Sequence, residues 1–212
     1  MWIETQVVMS EKQQWCERLF SPIPEWVTWL YCFGGLTLLV FLLQVLSGIY
    51  LAMFFQPSPG EAWASIEFIE KNIFLGKFAR SLHRWGAFLM VLFLLAHVFR
   101  TLLHGAFRAP RQLNWLSGVM LLLLTAAFAV TGYLLPWDFR AYWAVKTMGN
   151  WIEALPLFSG ATDWLLHGDT LNGIVPVGRW FVIHTLVLPA AACAFLTVHF
   201  FMVRKLGVAE PM

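Results

Sequence analysis

Four of the six histidines lie in stretches almost free of charge, His83 and His97 in one, His184 and His199 in another. Their spacings are 14 and 15 residues. On an α-helix, 14 residues turn through about 1400° and rise about 21 Å, while 15 turn through about 1500° and rise about 22 Å. Each helix therefore presents two imidazoles on roughly one face, one near each end. If the chain crosses a membrane four times, the second and fourth crossings run in the same direction, so His83 falls level with His184 and His97 with His199. Two neutral imidazoles at one level can fill both axial positions of an iron, hold it low-spin and let electrons pass without ligand exchange. Two such levels are what two stacked b-type haems require. A lone intramembrane histidine is often a packed or hydrogen-bonded residue, but four at matched depths favour the haem. His104 and His167 fall in loops without such a partner and read as structural or interfacial.

The room for two macrocycles gives an independent check. Gly34 and Gly48 are 14 residues apart on the first crossing, and Gly118 and Gly132 are 14 apart on the third. Glycine in membrane helices commonly permits close backbone packing, which would explain any one of them. The repeated interval points instead to space left for both haems. Propionates need cations near the membrane surfaces. Arg80, Arg84 and Arg179 lie beside the His83/His184 level, Arg100 and Arg204 beside the other. Interfacial anchoring is an equally good account of any single arginine.

The elements that must position these residues follow from charge and hydropathy. Hydrophobic residues make up 59% of the chain and charged ones 12%, with mean hydropathy +0.68, against about 25% charged in a soluble domain. That leaves too little polar surface for a water-exposed globule. Net charge +2 gives no reason to expect a polyanionic partner, and three scattered cysteines form neither a disulfide framework nor a zinc motif. Charge-free runs cover 35 residues between Glu25 and Glu61, 26 from Gln112 to Trp137 and 24 from Trp180 to Val203. Each exceeds the ~20 residues that a helix needs to cross a bilayer core. The spans expected are 30–55, 81–103, 113–134 and 179–203. Arg84 falls in the first turn of the second, and Arg100 near its end can snorkel. The fold class is all-α: a transmembrane four-helix bundle in a single domain over residues 1–212, holding two stacked haems and flanked by interfacial amphipathic helices.

The connections add to this. Gln56-Pro57-Ser58-Pro59-Gly60 reads as a turn, followed by an amphipathic stretch from Glu61 to Phe78. The third connection is about 45 residues long, and a loop of that size usually has structure of its own; Trp143, Trp151 and Trp164 among scattered charges suit interfacial helices. Gln13 to Phe20 reads as a surface amphipathic segment, and the first 25 residues lack the apolar core of a signal peptide. Lys and Arg divide equally between the two sides. The compact basic loop of Arg100, Arg108 and Arg111, with the Arg204-Lys205 pair, leans towards both termini being cytoplasmic.

Several segments carry a family resemblance. Arg80-Ser-Leu-His83-Arg84-Trp85, His97-Val-Phe-Arg100, Pro110-Arg111-Gln-Leu-Asn-Trp115, Thr131-Gly132-Tyr133-Leu-Leu-Pro136-Trp137-Asp138 and Arg179-x4-His184-Thr185 resemble cytochrome b of quinol-oxidising complexes, in order and over nearly the whole chain. The length, the 15-residue interval and Arg204-Lys205-Leu206-Gly207 resemble the short, four-helix cytochrome b6 type. The resemblance implies transmembrane electron transfer from quinol to quinone, coupled to proton translocation. It implies partners too: a subunit IV-like protein carrying a Pro-Glu-Trp-Tyr loop, a Rieske iron–sulfur protein and a c-type cytochrome, in a dimeric complex. Pro24-Glu25-Trp26-Val27 precedes the first span and lies on the wrong side to be that loop. The chain alone is expected to hold haem without turning over quinol.

Tyr31-Cys32-Phe33-Gly34-Gly35 resembles the segment where cytochrome b6 attaches a third haem through one thioether; a small core cysteine is the plain alternative. Cys16 and Cys193 have no comparable support. Two departures, Phe139 where the b6 pattern has Gln and a short segment before the first span, favour a bacterial cytoplasmic membrane over a thylakoid. The competing readings are the dihaem anchor of a hydrogenase or formate dehydrogenase, and a non-redox membrane assembly subunit.

Overall fold

A computed structural model describes residues 27–154 and 177–209. Six helices occur among them: α1 (Cys32–Ala52), α2 (Ala62–Asn72), α3 (Gly76–Leu103), α4 (Gln112–Leu134), α5 (Phe139–Glu153) and α6 (Val177–Leu206). A 3-10 turn, Trp29–Tyr31, leads into α1. Four of these, α1, α3, α4 and α6, are long and apolar enough to cross a bilayer, and they match the four expected spans. The expected segment 13–20, Cys16, Trp164 and His167 lie outside the described residues.

Helix ends differ from expectation where packing, not hydropathy, sets them. The second span starts at Gly76 rather than near 81 because α2 docks on its first turn. A Cβ at Gly76 would run into the backbone carbonyl of Ile69, and Leu75 turns the chain there with φ at 55°. Helix α2 buries Ala62, Ser65, Ile66 and Ile69, the i, i+3, i+4, i+7 stripe of an amphipathic helix. Its fit against α3 is reinforced by the Arg80–Glu70 ion pair. Tyr50 at the end of α1 donates its hydroxyl to the Phe74 carbonyl, tying the same corner.

Helix α5 is the second amphipathic element. Pro136-Trp137-Asp138 turns the chain out of α4 with Trp137 in the left-handed region at φ 49°. Asp138 Oδ1 then accepts from the Ala141 N–H at 2.9 Å, an N-cap that satisfies one of the helix's free donors. Ala141 and Val145 pack with Leu134 at the end of α4 and Trp180 at the start of α6.

The spans pair off. Helix α1 packs along α3 and α4 along α6, while contact between the two pairs is sparse. Leu39, Leu42, Leu46 and Ile49 on α1, with Phe88, Leu92, Leu95 and Phe99 on α3, are exposed outward. In lipid such a surface needs no further cover. The inward faces of the two antiparallel pairs confront each other across a seam, and the histidines lie on that seam.

Candidate functional site

Helix α3 carries His83 and His97, and α6 carries His184 and His199; all four side chains are partly buried. His83 and His184 face one another with ring centroids 6.3 Å apart and planes at 73°. At the other level His97 and His199 lie near one another. Both pairings are the ones expected from parallel crossings.

The 15-residue interval on α6 is resolved by its backbone. Residues Ile183–Val187 form a π-turn, in which the Leu188 N–H reaches back five residues to the Ile183 carbonyl. Pro189 follows; it has no N–H to give the Thr185 carbonyl and its ring crowds that position, which a widened turn relieves. Wide turns of this kind absorb one residue and recur at functional sites. The interval therefore acts as 14 residues, and His199 comes into phase with His184.

The four glycines meet the four imidazoles one to one. A Cβ at Gly48 would lie 3.1 Å from His83 Cε1, at Gly34 3.0 Å from His97 Cε1, at Gly132 2.8 Å from His184 Cε1 and at Gly118 3.4 Å from His199 Cε1. The glycines were expected to leave room for macrocycle faces; among the described residues, each lies against the edge of an imidazole ring.

Three hydroxyls, unforeseen in the sequence, complete the arrangement. Ser47 Oγ lies 3.0 Å from His83 Nδ1, Ser117 Oγ 3.0 Å from His199 Nδ1 and Thr131 Oγ1 2.9 Å from His184 Nδ1. Each precedes one of the glycines, so Ser-Gly or Thr-Gly at three of the four positions was the available signal. With Nδ1 engaged, Nε2 is the nitrogen left to face the seam.

The residues fit a haem. Two imidazoles are too few for a bare metal ion, which takes three or four protein ligands, and no group of three or more His, Cys, Asp or Glu side chains converges among the described residues. Two suffice for an iron already held by four porphyrin nitrogens. An imidazole nitrogen sits about 2.0 Å from a transition metal, so two ligands on opposite sides of one iron have centroids roughly 6.4 Å apart. The observed 6.3 Å agrees. Beside this level the Gln44 Nε2 is buried without a partner among the described residues.

The arginines divide. Arg80 is engaged by Glu70. Arg84 and Arg204 are exposed and Arg179 is partly buried. Arg100 is only 5% exposed; its Nη2 donates to the Ala209 carbonyl at 3.1 Å, and its guanidinium lies 3.5 Å over the Tyr31 ring. Tyr31 donates to the same carbonyl at 3.0 Å. Arg111 Nη2 donates to the Leu206 and Val208 carbonyls. Arg100 in the last turn of α3 and Arg111 in the loop after it thus hold the chain beyond α6 against the start of α1. Cys32 is exposed on the first turn of α1, two residues before Gly34. His104 is turned back onto the Arg100 carbonyl, away from the histidine pairs.

Comparison with known proteins agrees with this geometry. The family described as Cytochrome b/b6/petB matches residues 19–207. Cytochrome b6 of Gracilaria tenuistipitata var. liui and that of Mastigocladus laminosus are each 42% identical over 190 residues, covering 90% of this chain and 88% of theirs. A solved chain of a hyperthermophilic respiratory Complex III superposes with a TM-score of 0.82 at 28% identity, covering 95% of this chain. The present chain spans 54% of that one. With four membrane helices, two imidazole pairs and a match over nearly its whole length, this chain belongs to the cytochrome b/b6 family.

Proposed function

We propose that this chain is the dihaem electron-transfer subunit of a quinol–cytochrome c or quinol–plastocyanin oxidoreductase, working between a quinol-oxidising and a quinone-reducing face and coupled to proton translocation. The observation that carries the reading is the pairing of His83 with His184 at the separation one iron requires. His83 and His184 would hold one haem, His97 and His199 the other. When bound, haem supplies a reversible one-electron iron couple. The chain's own residues fix imidazole orientation through Ser47, Ser117 and Thr131, exclude water with apolar helix faces, and set the two levels about 21 Å apart along the helices.

Haem binding by the family is inconsistent with a non-redox assembly subunit, and the family match speaks against a hydrogenase or formate dehydrogenase anchor. The partners in this reading are a subunit IV-like protein with a Pro-Glu-Trp-Tyr loop, a Rieske iron–sulfur protein and a c-type cytochrome. A third haem attaches at Cys32, supported by the exposure of that thiol and by the open space around Gly35. Arg111 binding the Leu206 and Val208 carbonyls gathers Arg108, Arg111, Arg204 and Lys205 on one side. A cluster of that sign favours the cytoplasmic face, with both termini there, in a bacterial inner membrane.

Purified protein assayed as the pyridine haemochrome should release two extractable haems per chain. Single alanine variants at His83 or His184 should remove one spectral species, and at His97 or His199 the other. Protein without haem would overturn the reading. A Cys32→Ser variant that kept a covalent haem signal on denaturing electrophoresis would overturn the attachment alone.

A further inference from the structure

Where α2 meets the start of α3 the surface opens into a pocket of about 510 Å³, lined by Glu70, Ile73, Leu75, Lys77, Phe78 and Ser81. Its volume falls within the range of small-molecule sites, about 300–1,000 Å³. The corner around it is braced. Gly76 lies against the Ile69 carbonyl, Tyr50 holds the Phe74 carbonyl, and Arg80 pairs with Glu70. A pocket fixed in advance spares its occupant the cost of ordering the walls.

The charges in this pocket do not balance. Glu70, the carboxylate that lines it, is engaged by Arg80. Lys77 is exposed, and neither its ammonium nor the Ser81 hydroxyl one turn on has a partner among the described residues. Lys71 on α2, by contrast, reaches Glu67 at 3.5 Å. A cation with three donors beside a hydroxyl donor suits an anion.

Depth in the membrane narrows the choice of anion. Helix α3 has 28 residues, a length of about 42 Å at 1.5 Å per residue. That matches a bilayer with its headgroup layers, about 40–45 Å, and exceeds the hydrocarbon core of about 30 Å. The first turn of α3, with Lys77, therefore lies among headgroups. Below Lys77 on the same face come Ser81, then Trp85, Phe88 and Leu92, the last three exposed outward. Phe74 and Phe78, also exposed, add apolar surface at the upper level. A polar pair at headgroup depth above an apolar track has the layout of an amphiphile. Ordinary wetting of a helix by lipid requires neither a pocket nor an unmatched charge.

We propose that this pocket seats one anionic phospholipid, with Lys77 paired to the headgroup phosphate, Ser81 donating to it, and an acyl chain lying along Trp85, Phe88 and Leu92. A zwitterionic lipid carries a cation of its own towards Lys77 and binds less tightly.

The test uses the intact complex, purified in mild detergent, depleted of lipid and checked for assembly by size-exclusion chromatography. It is titrated with phosphatidylglycerol or phosphatidylcholine, and bound lipid is counted by native mass spectrometry. The parent should hold one more phosphatidylglycerol per chain than Lys77→Gln, whose affinity at that site should fall roughly five- to tenfold. Ser81→Ala should fall roughly threefold. Lys77→Arg should bind as the parent does, and so should Lys71→Gln, because that lysine already has its acceptor in Glu67. Equal binding by the parent and Lys77→Gln, or equal affinity for the two lipids, would overturn the proposal. Displacement of phosphatidylglycerol by millimolar inorganic phosphate would mark a site for free anions and overturn it too. So would loss of a protein subunit, rather than a lipid, from Lys77→Gln. If Lys77→Gln does not assemble, Ser81→Ala decides: weakened binding that keeps the preference for phosphatidylglycerol supports the site, and unchanged binding refutes it.

Discussion

Placing a methyl group at each of the four glycines should damage the protein in a fixed order. An ordinary carbon–carbon contact is about 3.5–4.0 Å. The Cβ of Gly132→Ala would lie 2.8 Å from His184 Cε1, an overlap of 0.7 Å (3.5 minus 2.8), whereas Gly118→Ala would lie 3.4 Å from His199 Cε1, an overlap of 0.1 Å. Gly34 and Gly48 fall between, at 3.0 and 3.1 Å. The His184 ring has little freedom to yield, since Thr131 Oγ1 holds Nδ1 at 2.9 Å and the Phe128 ring abuts it at 5.5 Å between centroids. Overpacking a tight site costs about 1–3 kcal/mol, while alanine gains about 0.8–1.0 kcal/mol over glycine inside a helix. At Gly132, where the overlap is largest and the clash sits at the upper end of that range, about 2–3 kcal/mol, the net loss is about 1–2 kcal/mol, or roughly 5- to 30-fold in occupancy at limiting haem. At Gly118 the propensity term matches or exceeds the clash, and occupancy should be unchanged. Haem titration of membranes carrying each variant, followed by dithionite-reduced minus oxidised spectra, reads the two levels separately. Equal damage from Gly118→Ala and Gly132→Ala, or full occupancy in Gly132→Ala, would refute the assignment of these glycines as imidazole seats.

Three further outcomes follow from the surrounding contacts. Arg100→Ala removes a buried guanidinium from the Ala209 carbonyl and the Tyr31 ring; it should cost about 2–3 kcal/mol and expose the chain beyond α6 to limited proteolysis, while Tyr31→Phe should cost less. Asp138→Ala should cost about 1 kcal/mol through the lost N-cap and speed hydrogen exchange at the Ala141 amide, with Asp138→Asn close to the parent. His104→Ala should keep both haems, because that ring is bonded to the Arg100 carbonyl; loss of a haem species in its difference spectrum would contradict the pairing.

The spans and the histidine pairs were legible in the sequence because both rest on strong local rules. Charge is costly in a bilayer core, so runs without it mark the crossings, and α-helical periodicity then puts residues 14 apart on one face. Helix beginnings were not legible to that rule. Gly76 starts α3 because Ile69 of another helix presses on it, a tertiary fact with no hydropathy signature. The partners of the arginines were hidden for the same reason: Arg100 finds its acceptor at Ala209, 109 positions away. The hydroxyls stand between these cases. Ser47, Ser117 and Thr131 were in plain view ahead of three of the four glycines, yet Ser and Thr in membrane helices usually bond the carbonyl a turn back, and these do that as well. Only the fold shows that each one's oxygen has a second neighbour.

The unequal intervals hold the most information about how the two halves of the bundle match. On α1 and α3 the register is uniform: Gly48 faces His83, and fourteen residues back on one helix and fourteen forward on the other, Gly34 faces His97. On α4 and α6 the glycines are 14 apart but the histidines 15. A regular helix would carry the extra residue as about 100° of rotation and 1.5 Å of rise, enough to turn one imidazole out of the seam whenever the other faced it. The widened turn at Ile183–Val187 takes up that residue within the segment that holds His184, leaving the regular helix from Leu188 onward to carry His199. The α6 backbone therefore departs from α-helix at one histidine so that both can meet partners spaced by a regular helix. A regular helix would leave one of the two histidines out of phase with its glycine, so the extra residue and the widened turn ahead of Pro189 belong together.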